Sequence, residues 1–249
     1  MTTFDQEHYE KLISFRLRTF ADKANEIAKD PEFDHMTFGE KLACCIEAES
    51  DARWSRKIAR RNKEARFSHP GACVESIEYL PDRSLNRDSV TRIATCDFIT
   101  EHRNVIALSQ TGCGKSFVIQ AIGNAACRKG HTVRYIRHAD LSKELNIARK
   151  NGSLYERMEA FVSVDLLILD DLFLSEMSMV STTDLFEIVE SRIGKGSLVI
   201  ASQLTPEEWH LRIDTKIIAD ALLDRVVHNS YLLKIEGPNM REYYSIKKG

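Results

Sequence analysis

The sequence predicts an α/β fold in which helices flank a central parallel sheet, preceded by a small all-α N-terminal domain. The sheet is predicted by short aliphatic runs, such as 164–169 (VDLLIL) and 198–201 (LVIA), which alternate with segments of helical periodicity. The first 69 residues instead show helical spacing throughout, and Pro70-Gly71 and Pro81 follow them. We therefore place the helical domain at residues 1–69 and the α/β domain at residues 70–249.

Apolar spacing predicts two long helices in the N-terminal domain. The first covers residues 9–20 and ends before Pro31, because proline cannot continue a helix. The second begins at 37–40 (TFGE), which matches a capping box, and continues into the basic stretch that follows. The apolar residues that we assign to the packed side of this helix are Phe38, Leu42, Cys45, Ile46, Trp54 and Ile58.

Seven basic residues lie between Arg53 and Arg66, where Glu64 is the one acid, so this stretch carries 7 − 1 = +6 in a chain of net charge −2. Their three- and four-residue steps form a stripe on the helix. Such a stripe is either a solvated face or a surface for DNA phosphates. The scarcity of acids favours backbone contact with double-stranded DNA, without readout of sequence. The predicted contacts are Arg53, Arg56, Lys57, Arg60, Arg61, Lys63 and Arg66.

The α/β domain is predicted to begin with connecting segments and then to alternate strands with helices. Residues 74–79 suit a short strand or an extended stretch, and 86–102 suit one helix. Residues 77–92 contact either the nucleotide base or the sheet. Further helices are predicted at 117–128, 141–150, 182–193, from 206, and at 217–227. The predicted strands of the sheet are 105–108, 132–136, 164–169, 198–201 and 231–235.

A strand, a glycine-containing loop and a helix follow one another from residue 105, where the chain reads VIALSQTGCGKS. This context favours a phosphate-binding loop over a chance turn. Backbone N–H groups would hold phosphate oxygens, Lys115 would contact the β- and γ-phosphates, and Ser116 would bind Mg²⁺. The predicted nucleotide contacts are Ser109, Gln110, Thr111, Gly112, Cys113, Gly114, Lys115, Ser116 and Phe117.

Polar residues end two of the buried strands. Asp170 and Asp171 follow 164–169, where Asp170 would orient Mg²⁺ and Asp171 would polarise the attacking water. Gln203 follows 198–201 and would hold that water near the γ-phosphate. The alternatives are an acidic turn for the aspartates and an ordinary turn residue for Gln203.

Two arginines near the end of the chain are further candidates. Arg225 either forms a surface ion pair with a nearby aspartate or reaches the nucleotide of an adjacent subunit. Arg241, in 237–241 (GPNMR), is a candidate for a second phosphate contact.

The amino-acid composition indicates the cellular compartment of the protein. The six cysteines include no CxxC pair, which favours reduced thiols over a disulfide framework or a zinc site. No run approaches the ~20 apolar residues of a membrane span. The first residues lack the basic-then-apolar layout of a signal peptide, and we expect a cytoplasmic protein.

The segments LILDD, ASQLTPEEWH, IADALLDRVVHNSY and GPNMR together resemble the IstB-like ATP-binding proteins of bacterial insertion sequences. That family belongs to the AAA+ class and is related to DnaC-type helicase loaders. The resemblance covers nearly the whole chain and is most specific in the C-terminal block. It implies a P-loop NTPase core of the AAA+ class that uses ATP and Mg²⁺. It further implies homo-oligomers on double-stranded DNA, with nucleotide at the subunit interfaces, that stimulate a transposase.

Residue by residue, the resemblance implies phosphate contacts at 112–116, an acidic motif at Asp170 and Asp171, a sensor at Gln203 and an in-trans arginine at Arg225. Two residues depart from the family pattern. Ser109 replaces the first glycine of the loop, where a side chain is strained if φ is positive, and Phe173 stands where glycine is usual. Both predict slow hydrolysis. The alternatives are a helicase loader, a non-hydrolysing DNA-binding scaffold and, least favoured, a small-molecule kinase.

Overall fold

The computed structural model describes residues 5–213 and 215–247. The chain divides into two compact units, the first ending at Arg60 and the second beginning at Arg61. The predicted domain boundary lies later, at residue 69. The segment between the two boundaries belongs to the second unit because its apolar side chains, Ala65 and Phe67, are buried in the core of that unit.

The described helices agree with most of the predicted ones and add two that the sequence analysis missed, α8 and α12. The α-helices are α1 (Gln6–Ser14), α2 (Arg18–Lys29), α3 (Phe38–Ala65), α4 (Arg87–Ala94), α5 (Asp97–Thr100), α6 (Lys115–Arg128), α7 (His138–Lys150), α8 (Leu154–Val162), α9 (Met179–Arg192), α10 (Pro206–Trp209), α11 (Lys216–Val227) and α12 (Met240–Lys247). None of the helices among the described residues is both long and apolar enough to cross a membrane.

The first unit contains α1, α2 and the larger part of α3. The predicted helix over 9–20 is two helices, because Arg16 adopts a φ of 60° between α1 and α2. The capping box at the start of α3 is confirmed: Thr37 N donates to Glu40 at 2.7 Å, and Glu40 N donates to the Thr37 hydroxyl at 3.3 Å. Of the apolar residues assigned to a packed side, Cys45 is buried, whereas Phe38, Leu42, Ile46 and Trp54 are exposed.

The second unit is built on a five-stranded, fully parallel sheet of strand order β2-β3-β4-β1-β5. All five strands lie where the sequence predicts them, which confirms the α/β fold. Helices cover both faces of the sheet. The strands are β1 (Asn104–Ser109), β2 (Val133–Arg137), β3 (Leu166–Leu172), β4 (Ser197–Ser202) and β5 (Ser230–Ile235).

The alternation of side chains along β3 and β4 explains why both strands are aliphatic throughout. Leu166 and Ile168 face a core shared with α6, whereas Leu167 and Leu169 face a core shared with α7, α8, α9 and α11. Strands buried on both faces carry continuous apolar runs rather than an apolar–polar alternation. Because all the strands are parallel, their carboxyl ends meet at one edge of the sheet, and the predicted polar residues lie there.

Two predictions for the segment before β1 are wrong in detail. Residues 74–76 form a 3₁₀ turn (Val74–Ser76) rather than a strand. The single helix predicted over 86–102 is divided into α4 and α5 by Cys96, which has a φ of 62°.

Phe173, the departure from the usual glycine, directly follows β3 with a φ of 61°. Its ring is fully buried, and its centroid lies 4.9 Å from that of Trp209. The left-handed conformation explains why glycine suits this position, and burial of the ring against Trp209 offsets the strain.

We expect the Phe173→Gly variant to be less stable than the wild type but more stable than Phe173→Ala, by about 1 kcal/mol, because only glycine tolerates the positive φ without strain. Urea unfolding of both variants measures this difference. Phe161 is an equally buried control inside α8, where alanine should be the more stable replacement by about 0.5–1 kcal/mol. If the glycine variant were the more stable at both positions, or the alanine variant at both, the proposed strain at Phe173 would be contradicted.

Candidate functional site

The predicted phosphate loop connects β1 to α6. Gly112 and Gly114 have φ angles of 90° and 83°. A Cβ on Gly112 would lie 2.7 Å from the Asn239 side chain, and one on Gly114 would lie 2.9 Å from Arg83 Nη2. The backbone conformation therefore favours glycine at these two positions, and a Cβ would also displace the side chains of Asn239 and Arg83.

Ser109 does not carry the backbone strain predicted for the first position of the loop. It is the last residue of β1, so its backbone is extended, and its hydroxyl donates to the Gln110 carbonyl at 2.9 Å. The positive φ angles of the loop fall on Gly112 and Gly114 instead.

A cavity of about 260 Å³ lies beside this loop at the carboxyl edge of the sheet. We call it the loop cavity. Its lining includes Asp171, Gln203 and Arg241, and every predicted loop contact except Ser109 and Cys113. The lining residues are His69, Glu78, Arg83, Gln110, Thr111, Gly112, Gly114, Lys115, Ser116, Phe117, Arg137, Asp171, Gln203, Met240, Arg241 and Tyr244.

Charged groups meet at Asp171 in the wall of the loop cavity. The Lys115 ammonium, only 6% exposed, lies 3.5 Å from Asp171 Oδ1. Arg137, at the end of β2, donates to Asp171 Oδ2 at 3.0 Å, and this hydrogen bond raises the pKa of Arg137. Two cations therefore surround one carboxylate, and a polyanion such as a triphosphate would find excess positive charge here.

Asp170 lies behind the wall that Asp171 forms. It is 1% exposed and accepts hydrogen bonds from the Tyr135 hydroxyl and from Asp171 N, both at 2.9 Å. Burial raises the pKa of Tyr135, which therefore stays a hydrogen-bond donor at neutral pH. The structure thus brings Lys115 together with the second aspartate of the predicted pair.

The tip of β4 contacts the loop from the other side. The Thr111 hydroxyl donates to Gln203 Oε1 at 3.0 Å. Gln203 therefore contacts the loop and lines the same cavity as Asp171, and its role as a sensor stays a prediction.

The C-terminal segment and the segment before α4 enclose the loop. Met240 N donates to the Gly112 carbonyl at 2.9 Å, and the buried Cys113 thiol lies 3.3 Å from the Gly237 carbonyl. Arg83 donates to the Cys113 carbonyl at 2.8 Å and to the Glu78 carbonyl at 2.6 Å. Burial lowers the pKa of Arg83, whose guanidinium joins the loop to residues 78–83.

Sequence reasoning missed Arg83 and Arg137. A signal existed for each. Arg83 and Glu78 fall within residues 77–92, which were expected to contact either the base or the sheet. Arg137 directly follows the predicted strand 132–136, and the structure pairs it in register with Asp170 on the neighbouring strand.

Residues 10–247 match the family model described as IstB-like ATP binding protein. A putative insertion sequence ATP-binding protein of Sinorhizobium fredii is 36% identical over 225 residues, which cover 90% of each chain. The chain belongs to the family of IstB-like ATP binding proteins. The putative ATP-binding protein of an insertion sequence in Pseudomonas fluorescens is 30% identical over 80% of this chain and 86% of its own length.

Among solved structures, AMPPCP-bound DnaA from Aquifex aeolicus superimposes with a TM-score of 0.59 at 23% identity. The likeness covers 73% of this chain and 55% of that one, so the matched part is about half of the DnaA chain. The superposition confirms the predicted α/β fold with a central parallel sheet.

Arg225 of this IstB-like chain lies on α11, outside the lining of the loop cavity. Its guanidinium forms an ion pair with Glu190, donates to the Ala221 carbonyl at 2.9 Å and lies 5.2 Å from the Phe186 ring centroid. These contacts within the same chain hold Arg225 outside the loop cavity, and a role in a neighbouring subunit stays a prediction.

The predicted DNA contacts have different surroundings. In the first unit, the buried Glu49 accepts from Arg53 at 2.7 Å and from Arg56 at 3.3 Å, and Lys57 lies 5.6 Å from the Trp54 ring. Arg60, Arg61 and Lys63 lie on α3. In the second unit, Arg66 follows α3 with a φ of 58° and lies 3.7 Å from Glu144.

The loop cavity offers oxygen atoms that can serve as ligands for a hard cation. The Ser116 hydroxyl and the Asp171 carboxylate both belong to its wall. Mg²⁺ prefers oxygen ligands and takes its remaining positions from phosphates and water. The residues present therefore fit Mg²⁺ accompanied by a nucleotide.

Proposed function

We propose that this IstB-like chain binds and hydrolyses ATP with Mg²⁺ in the loop cavity, and that it assists the transposase of an insertion sequence as a homo-oligomer on double-stranded DNA. One observation carries the ATPase part. The Lys115 ammonium and the Asp171 carboxylate lie 3.5 Å apart in a cavity lined by the phosphate loop. Such a pair can serve both the phosphates and the attacking water of a single nucleotide.

The residues at the loop cavity then share the binding of phosphates and the activation of water. The loop N–H groups and the start of α6 hold phosphate oxygens, and Lys115 exchanges its contact with Asp171 for the phosphates. Asp171, freed from Lys115, orients the attacking water together with Gln203. Ser116 and Asp171, which line the cavity, would hold Mg²⁺, and the buried Asp170 would position Asp171 by accepting a hydrogen bond from Asp171 N. Bound Mg²⁺ would supply positive charge to the phosphates. Arg225 acts on the nucleotide of a neighbouring subunit.

The DNA and transposase parts rest on different support. The names of the relatives associate them with insertion sequences. The basic stretch between Arg53 and Arg66 supplies positive charge that the chain as a whole lacks. Phosphate contacts by such a stretch predict an affinity that falls steeply with salt and varies little with DNA sequence.

The first test compares Asp171→Asn with wild type. We expect at least about a hundredfold loss of ATP turnover with nucleotide binding retained, because the amide cannot accept a proton from water but leaves Lys115 available to the phosphates. Turnover should be measured with and without duplex DNA, and nucleotide binding by calorimetry. Asp140→Asn, on the exposed side of α7, is the matched control. Turnover by Asp171→Asn within twofold of wild type would contradict the assignment.

The same measurements separate the alternative functions. Stimulation by duplex DNA and by a transposase supports the proposal. Stimulation by single strands and by a replicative helicase would identify a helicase loader instead. ATP and DNA binding without turnover in the wild type would identify a non-hydrolysing scaffold.

A further inference from the structure

A second cavity of about 260 Å³ lies at the opposite edge of the sheet, beside the amino ends of β2 and β3. We call it the arginine cavity. Its wall carries four arginines, supplied by the end of α3 and the residue after it, by β2 and by α8. These arginines are Arg61, Arg66, Arg134 and Arg157.

Glu144 on α7 faces three of these arginines without closely bonding any of them. The shortest nitrogen–oxygen distances from Glu144 are 3.7 Å to Arg66, 3.5 Å to Arg134 and 3.6 Å to Arg157. Charge-assisted hydrogen bonds between these groups are normally about 2.7–2.9 Å long. The carboxylate is therefore shared among several guanidinium groups, and each remains able to bind another oxygen.

The charge of the arginine cavity is unbalanced. Four arginines line it, and the two acids counted with them are Glu144, which lies near three of the arginines, and the lining residue Glu64, so these groups sum to 4 − 2 = +2. The Arg134 side chain is 11% exposed, and burial together with the neighbouring Arg66 lowers its pKa. Clustered cations that are partly withdrawn from water are stabilised by an anion among them.

We propose that the arginine cavity binds a phosphate group of the DNA backbone. This inference rests on the proposed function and adds to it a contact on the second unit. Planar guanidinium groups match phosphate oxygens in pairs, and the more exposed Arg66 and Arg157 give a backbone phosphate access to Arg134, whose side chain is 11% exposed. Arg61 and Arg66 also belong to the basic stretch predicted to contact DNA. The nucleotide's own phosphates are excluded, because the loop cavity lies at the other edge of the sheet.

The test measures binding of a labelled duplex to the full chain over a range of salt concentrations. We expect Arg157→Gln to weaken binding roughly five- to tenfold at about 0.1 M salt, and to reduce the slope of log affinity against log salt by about 1. Glu144→Gln should strengthen binding, because it removes the carboxylate that competes with phosphate. Arg149→Gln is the control, since Arg149 is similarly exposed and pairs with Asp184 at 2.6 Å outside the arginine cavity.

Each other outcome overturns the inference. Unchanged affinity in Arg157→Gln and Glu144→Gln would show that no DNA phosphate binds there. Weaker binding by both, with lower unfolding temperatures, would give the cluster a structural role only. Inorganic phosphate that raises the unfolding temperature of wild type but not of Arg157→Gln, while DNA affinity is equal in the two, would identify a site for free phosphate. A wild type that turns over ATP without binding DNA would refute the DNA part of the proposed function, and this contact with it.

Discussion

Replacing Lys115 with alanine is expected to abolish ATP turnover and to weaken nucleotide binding strongly. The ammonium is 6% exposed and lies at the first residue of α6, between the phosphate loop and Asp171. A fixed charge in such a site acts on the developing phosphate charge with little reorganisation. Loss of one preorganised donor costs about 10²–10³ in rate, and loss of ground-state phosphate contacts adds to this.

The measurement has two parts, ATP turnover and the shift of the unfolding temperature by ATP and Mg²⁺. A ligand that binds only the folded state raises that temperature, so the shift seen in wild type should shrink in Lys115→Ala. Lys143→Ala is the matched control, because that ammonium is 74% exposed and lies 3.6 Å from Asp140 on the surface of α7. Equal temperature shifts in Lys115→Ala and wild type would show that ATP binds elsewhere.

The sequence predicted the strands and the phosphate loop well, because several local signals agree there. In the stretch from β1 to α6, the aliphatic run, the glycine positions and the following Lys-Ser all indicate one structure. The segment before β1 was harder to predict. Both α4 and α5 bury apolar residues, so the pattern suggested one helix, yet the step from Ile93 to Phe98 is five residues and the turn at Cys96 lies within it.

The parts of the loop cavity that the sequence did not reveal are those made by contacts distant in the chain. Arg83 reaches the Cys113 carbonyl across thirty residues of sequence, and Tyr135 reaches Asp170 across thirty-five. Neither residue belongs to a motif. These contacts form only once the sheet has brought the two residues together, so local periodicity and turn chemistry do not predict them.

Arg192, at the end of α9, also makes contacts distant in the chain, and its loss should strongly destabilise the fold. Its side chain is fully buried. Nη1 donates to the carbonyls of Phe161, Val162 and Val164 at 2.8–2.9 Å, and Nη2 donates to those of Asp165 and Ser197 at 3.2 and 2.8 Å. One guanidinium therefore joins the C-terminal end of α8 to the N-terminal ends of β3 and β4.

We expect Arg192→Met to yield little or no soluble, folded protein. Each buried carbonyl left without a donor costs about 1–3 kcal/mol, and loss of several approaches the whole stability of a typical domain, about 5–15 kcal/mol. Burial lowers the pKa of Arg192 to about 10, so the group remains cationic at neutral pH. Arg192→Lys should be intermediate, since an ammonium has three donors rather than five.

Soluble yield and urea unfolding test this expectation, with Arg149→Met as the control that loses one ion pair to Asp184. A free energy of unfolding for Arg192→Met within about 1 kcal/mol of wild type would contradict it. The consequence reaches the loop cavity, because β3 and β4 carry Asp171 and Gln203 at their other ends. If Arg192 fixes the N-terminal ends of these strands, Arg192→Lys should lose ATP turnover in proportion to its folded fraction, with the KM for ATP unchanged in the molecules that fold.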